Sequence, residues 1–508
     1  MRECGILMPV ASLPGPCGIG CFGKSAYEFV DFLAEAGQRI WQILPLTPTG
    51  FGDSPYQSCS AFAGNPYLID LDTLAREGLL EPEEYRGLNW GKDPARVDYQ
   101  AQYEHRLTLL RRAYERWLQE RPVPGCDTHR SDDFYAFLFQ SEDWLEDYAL
   151  YMTAKEAFDM KPYPEWPQPL RLRDADALAE FAGEHRDELE FWRFVQYQFQ
   201  RQWQALKGYA NARGVQILGD IPIYVSADSA DAWAGGPLFE MDEAGRPLRV
   251  AGCPPDYFSA DGQLWGNPLY DWDYHRRTGY AWWVRRVRCA LHQYDLLRID
   301  HFRGFDTYWA IPADARTART GQWEQGPGME LFQALHSQLG ELPIIAEDLG
   351  DLFDSVRELL RDSGFPGMKV MQFAFGGGDE YLPHNHIANC VVYPGTHDNT
   401  TVADWLEHGA SRAERNAARM YLGLNRQEGA VQGFLRGVLT SVADRAIIPM
   451  ADWLGLGAEG RINTPGVMGD NWCWRMKPGV CTPALARRIR SLCTLAGRCA
   501  PEMPPKTV

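Results

Sequence analysis

The chain lacks an excess of basic charge. Lys and Arg total 50 against 68 Asp and Glu, a formal net charge of -18. A phosphate-backbone partner needs a basic face, so nucleic-acid binding is not expected. No run of 18 or more apolar residues occurs, which speaks against a membrane-spanning helix. Met1 to Ile6 has no charged head leading into an apolar core, so no secretory leader is expected and the location is read as cytoplasmic. No C-x-x-C is present among the 12 cysteines, which are scattered from Cys4 to Cys499. Cys17 and Cys21 have no His or Cys neighbours to complete a zinc site, so free thiols in a reducing compartment are expected.

What is present points elsewhere. The 508 residues suit one barrel-sized domain with insertions and can bury a core without staples. Aromatic residues are many, with 18 Trp, 23 Tyr and 23 Phe. Aromatic rings stack on sugar faces or on bases as well as filling cores. With nucleic acid disfavoured by charge, carbohydrate gains weight.

Short β-rich runs alternate with helical stretches, the pattern of an α/β fold with a parallel sheet. Eight candidate strands are read at residues 5–10, 40–45, 215–222, 295–299, 344–347, 368–373, 390–395 and 446–450. Their near-continuous apolar character fits strands buried on both faces. Ser25-Ala26-Tyr27-Glu28 reads as a capping box before a helix that Gly37 ends. Residues 187–213 read as a long helix whose aromatics belong to the core. The expected fold is a (β/α)8 barrel spanning residues 1–508, with no C-terminal β-sandwich. About 170 residues separate the second and third strands, too many for one loop, so a helical insertion is expected at 90–185. A second insertion, 227–274, reads as a loop-rich excursion over the barrel mouth.

Barrel enzymes build their sites at the C-terminal ends of the strands. Those ends carry Asp220, then Arg298 and Asp300, then Glu347 and Asp348, then His397 and Asp398. Buried strands do not repeatedly end in carboxylates without cause, because each unpaired charge there is costly. Cleavage of a glycosidic bond uses such a set. One carboxylate attacks the anomeric carbon while a protonated carboxyl donates to the leaving oxygen, the two about 5–5.5 Å apart in retaining enzymes. Arg298, two residues before Asp300 on one strand, shares its face.

These residues carry a family resemblance. Residues 296–305 (LLRIDHFRGF), 344–350 (IIAEDLG) and 395–399 (GTHDN) resemble the catalytic segments of the 4-α-glucanotransferases, also called amylomaltases or disproportionating enzymes, which are relatives of the α-amylases. Residues 53–58 (DSPYQS), 219–225 (GDIPIYV), 254–258 (PPDYF) and 263–268 (QLWGNP) resemble the same family, in the same order. The resemblance implies Asp300 as nucleophile, Glu347 as general acid/base and Asp398 as the carboxylate that grips and distorts the donor sugar. It also implies Arg298 and His397 in support, Asp220 and Tyr56 on the donor side, and Asp256 and Trp265 at the acceptor. Cys59, Thr400 and Ala451 depart from the family pattern, which bears on acceptor preference. Neither cofactor nor metal is implied.

The weaker signals are not taken as sites. Gly376-Gly377-Gly378-Asp379 has no following Lys-Ser/Thr and reads as a loop. His384-Asn385-His386 lacks further ligands for a metal. The expected function is transfer of α-1,4-glucan segments between maltooligosaccharides by a retaining double displacement. Hydrolysis by the same carboxylates and non-catalytic glucan binding are the alternatives.

Overall fold

Short apolar runs become strands here because each is covered on both sides. The computed structural model describes residues 2–120, 129–255, 260–350, 352–467 and 469–499. Among them lie twelve strands: β1 (Glu3–Leu7), β2 (Ile40–Gln42), β3 (Gln216–Pro222), β4 (Arg249–Cys253), β5 (Gln263–Pro268), β6 (Leu296–Asp300), β7 (Thr307–Pro312), β8 (Gln322–Gln325), β9 (Ile344–Ala346), β10 (Gly367–Val370), β11 (Cys390–Tyr393) and β12 (Arg445–Pro449).

Eight of them form one sheet in the order β10-β11-β12-β1-β2-β3-β6-β9. Every pair in it is parallel. These are the eight strands read from the sequence. The two end strands also meet. Ala346 N donates to Pro366 O at 3.0 Å, and Met368 N donates to Asp348 Oδ1 at 2.6 Å. Closure removes the sheet edges, and the fold is a (β/α)8 barrel. Gly367 sits where closure is tightest, since a Cβ there would lie 2.6 Å from Asp348 Oδ2.

One continuous apolar core runs from the barrel strands into the helices around them. The helix Arg186–Ala212 buries Phe191, Trp192, Phe194, Phe199 and Trp203 in it. The first helix, Lys24–Glu35, differs from expectation at its start. Gly23 is its N-cap and Ser25 lies inside it. The Ser25 hydroxyl donates to Pro14 O instead of capping.

Between β2 and β3 the chain forms the helices Tyr99–Glu120, His129–Gln140, Leu145–Ala157, Gln168–Arg171 and Ala175–Glu184. Lys155 Nζ lies 2.7 Å from Asp228 Oδ2, tying this stretch to the segment after β3. That segment is more ordered than a loop. It contains the helix Ala230–Ala234 and the strands β4 and β5, which join β7 and β8 in a second sheet ordered β5-β4-β7-β8. β4 pairs with β5 on one side and on the other with β7, beyond β6 in the chain. Local Gly and Pro content reads as loop because the partner is distant.

No helix among the described residues is long and apolar enough to cross a membrane. The cysteines among them are free. His386 is buried between Ser441 Oγ and Tyr381 O, while His384 bonds the Tyr421 hydroxyl.

Candidate active site

Adjacent barrel strands bring the central carboxylates together. In β6 the alternation of side chains puts Arg298 and Asp300 on one face. Arg298 pairs in register with Asp220 of β3 on one side and with Ile345 of β9 on the other. Its guanidinium bridges two acids, donating to Asp220 Oδ2 at 2.6 Å and to Asp300 Oδ1 at 2.7 Å. Arg298 is 2% exposed and Asp220 fully buried. Burial works against the charge on Arg298, but Asp220 and Asp300 outweigh it and hold the group well above its ordinary value. Burial pushes the Asp220 carboxyl up, against the pull of Arg298. Tyr56 completes the chain, its hydroxyl donating to Asp220 Oδ2 at 2.8 Å.

Glu347 follows β9, with its backbone N bonded to Ile299 O at 3.1 Å. Its carboxyl accepts from two main-chain donors, His301 N to Oε2 at 2.7 Å and Leu349 N to Oε1 at 2.8 Å. Burial, then the neighbouring negative charge of Asp300, pushes Glu347 up to about 7, with Arg298 and the two amides opposing. A carboxyl poised there can both give and take a proton near neutrality. His301 reaches this position with φ 55, in the left-handed region. Bulky residues adopt it only when their surroundings compel them. Its ring is edge-on to Trp265 at 4.8 Å, and burial lowers its pKa to about 4.

Asp398 lies just past β11. Its Oδ2 is 3.5 Å from His397 Nε2, and its Oδ1 accepts from Asn463 Nδ2 at 2.6 Å. His397 is buried and stacks on Tyr56, with ring centroids 5.2 Å apart and planes 15° apart. Trp472 tilts against both rings.

Asp300, Asp398, His397, Tyr56, Trp265 and Trp472 share the wall of one cavity of about 290 Å³. Asp220 and Arg298 stand behind it, and Glu347 is held by the His301 backbone at its edge. Asp256 lies outside the described residues. Among the residues that border this cavity without having been given a site role from the sequence are His301, Asn463 and Trp472. The first stands directly after Asp300, a signal that was available. The other two come from the irregular segment beyond β12, where only the turn signal Asn463-Thr464-Pro465-Gly466 marks the spot. Among the described residues, no group of three or more His, Cys, Asp or Glu is placed to hold a metal.

Comparison with known proteins shows the family of the chain. The family described as 4-alpha-glucanotransferase matches residues 8–482. A 4-alpha-glucanotransferase of Clostridium butyricum is 46% identical over 495 residues, covering 97% of this chain and 100% of its own. The 4-alpha-glucanotransferase of Thermus thermophilus is 46% identical over 499 residues, 97% of this chain and 98% of its own. The amylomaltase from Streptococcus agalactiae, solved in complex with acarbose, superposes with a TM-score of 0.94 at 42% identity, covering 98% of this chain and 100% of its own. The chain therefore belongs to the 4-alpha-glucanotransferase family.

Proposed function

We propose that this 4-alpha-glucanotransferase divides its chemistry among three carboxylates. As a member of its family, the protein transfers α-1,4-glucan segments from one chain to another and disproportionates maltooligosaccharides. Asp300, paired to a guanidinium, attacks the anomeric carbon of the donor. Glu347 gives its proton to the glycosidic oxygen, and the leaving chain departs with a free hydroxyl. An acceptor hydroxyl then passes its proton to Glu347 and attacks the same carbon, displacing Asp300. Two inversions retain the α configuration. Asp398 grips donor hydroxyls, with His397 beside it. Tyr56 and Asp220 shape the donor side, while Trp265 and Asp256 take the acceptor. No metal or cofactor enters the scheme. The free cysteines support a cytoplasmic setting.

One observation carries this reading. Asp300 ends β6 and Glu347 directly follows the neighbouring β9, one bonded to Arg298 and the other pushed up to about 7 by burial and by Asp300 itself. A nucleophile and an acid/base need that difference. Incubation with maltotriose tests it. A ladder of longer oligosaccharides, with glucose, is expected. Glucose and maltose alone would mean hydrolysis, and unchanged substrate would mean binding without catalysis.

A further inference from the structure

Asp398 is the most solvent-accessible of the central carboxylates, with its side chain 42% exposed. An exposed aspartate on a loop samples several rotamers, and ordering it at the moment of sugar binding is costly. The structure meets that cost in advance. Asn463 Nδ2 donates to Asp398 Oδ1 at 2.6 Å. The asparagine itself is 9% exposed, and its backbone is fastened to the same peptide it serves. Asn463 N donates to His397 O at 3.0 Å. Arg461 Nη2 donates to Asp398 O at 3.2 Å, and Arg461 Nε donates to Asn463 O at 2.8 Å. Residues 461–463 and 397–398 are thus laced together across the mouths of two adjacent strands, β11 and β12.

We infer that Asn463 is a positioning residue for Asp398, presenting its carboxylate to the donor sugar in one orientation; this rests on the reading of Asp398 given above. The residue type suits the task. An amide donates without adding charge, so Asp398 keeps its negative charge for the sugar, which a Lys or Arg in this place would neutralise. The side chain also borders the cavity. It orients Asp398 where the donor binds, ahead of the reaction.

Three variants and a double-mutant cycle test this, with initial rates of maltotriose disproportionation and thermal unfolding as readouts. Asn463→Ala should lower kcat about 10- to 100-fold with KM moved less than about threefold, because the lost orientation matters most in the transition state. In an Asp398→Asn background the same substitution should change kcat less than about threefold, since there is no carboxylate left to orient. A loss by the same factor in both backgrounds would make Asn463 a purely structural residue and overturn the inference.

Asn463→Asp keeps shape and volume, so it answers the question even if the alanine variant misfolds. Two carboxylates at hydrogen-bond distance cannot both ionise, and the pair must hold a proton to work. The charged and titratable groups around the pair are His397, Arg461, Asp300 and Tyr56, with Asp220 and Arg298 behind them. The Asn463→Asp enzyme should therefore regain activity, relative to wild type, as pH falls from 8 to 5. A profile parallel to wild type would overturn the inference. If Asp398→Asn alone leaves kcat within about threefold of wild type, the role of Asp398 fails, and the inference falls with it.

Discussion

The backbone N–H of His301, a residue held at φ 55, donates to Glu347 Oε2 at 2.7 Å. The residue after the proposed nucleophile thereby orients the proposed acid/base, so the two carboxylates are placed by one turn of chain. The bond favours the charged carboxylate, yet burial and Asp300 win and Glu347 stays near 7. The first half-reaction needs Glu347 protonated. Its raised value means that the acid form is present below about 7 and is lost as pH rises through it. The kcat/KM for a maltooligosaccharide donor should accordingly fall on an alkaline limb centred near 7. A limb near the ordinary glutamate range would show that burial does not govern this residue.

Replacing the carboxylates should separate their roles. Asp300→Asn should lower turnover by at least about 1,000-fold while sugar binding persists. Activity within tenfold of wild type would remove Asp300 as nucleophile. Glu347→Gln should accumulate a covalent glycosyl-enzyme from a donor with a good leaving group. Attack no longer needs a proton there, but release still needs a base. Mass spectrometry of the intact folded variant reads this directly.

Barrel closure makes a prediction about stability. Asp348 Oδ1 accepts from Met368 N at 2.6 Å, and Gly367 leaves room for that carboxylate. Gly367→Ala should cost about 1–3 kcal/mol through overpacking against Asp348. Asp348→Ala should cost a similar amount, about 1–3 kcal/mol, by stranding the Met368 amide. Denaturant unfolding measures both. Values within about 0.5 kcal/mol of wild type, as for ordinary surface changes, would mean that β9 and β10 are held by other contacts.

Asp452, in the short helix Met450–Leu454 that follows β12, is buried and accepts from Val402 N at 2.7 Å. Burial pushes it up to about 7, the amide notwithstanding. In the unfolded chain an aspartate ionises near 3.9. Between that value and 7 the unfolded state has released a proton that the folded state retains, so stability falls as pH rises through this window. Asp452→Asn keeps the acceptor for Val402 and removes the titration. Its stability relative to wild type should improve from pH 4 to pH 7, by on the order of 3 kcal/mol. A constant difference across that range would show that Asp452 is already ionised in the fold.

Much of the barrel was legible in the chain. A strand buried on both faces is mostly apolar, and β1, β2, β3, β6, β9, β10, β11 and β12 are so apart from a few charged or polar residues, several of them at the strand ends. Strand ends at a barrel mouth that carry Asp220, Arg298, Asp300, Glu347 and Asp398 stand out against that background. Their grouping could be inferred because strand period and barrel order are local or repetitive rules. The second sheet was not legible, because β4, besides pairing with β5, takes its other partner from β7, across the whole of β6. Nor was the start of the first helix after Gly23, which puts Ser25 inside the helix with its hydroxyl donating to Pro14 O.

The identities of the central acids, their order and the strands that bear them were thus determined by the sequence alone. What each acid is able to do was decided by the tertiary structure. Arg298 could be assigned to the face of Asp300 from spacing, but its second bond, to Asp220, required β3 beside β6. The setting of Glu347 arises from burial, from Asp300 on the next strand and from a left-handed His301, none of which a residue carries by itself. Asn463 and Trp472 reach Asp398 and Tyr56 from beyond the last strand of the barrel. Charge and hydrogen bonding act through distance in space, and only closure of the barrel sets those distances.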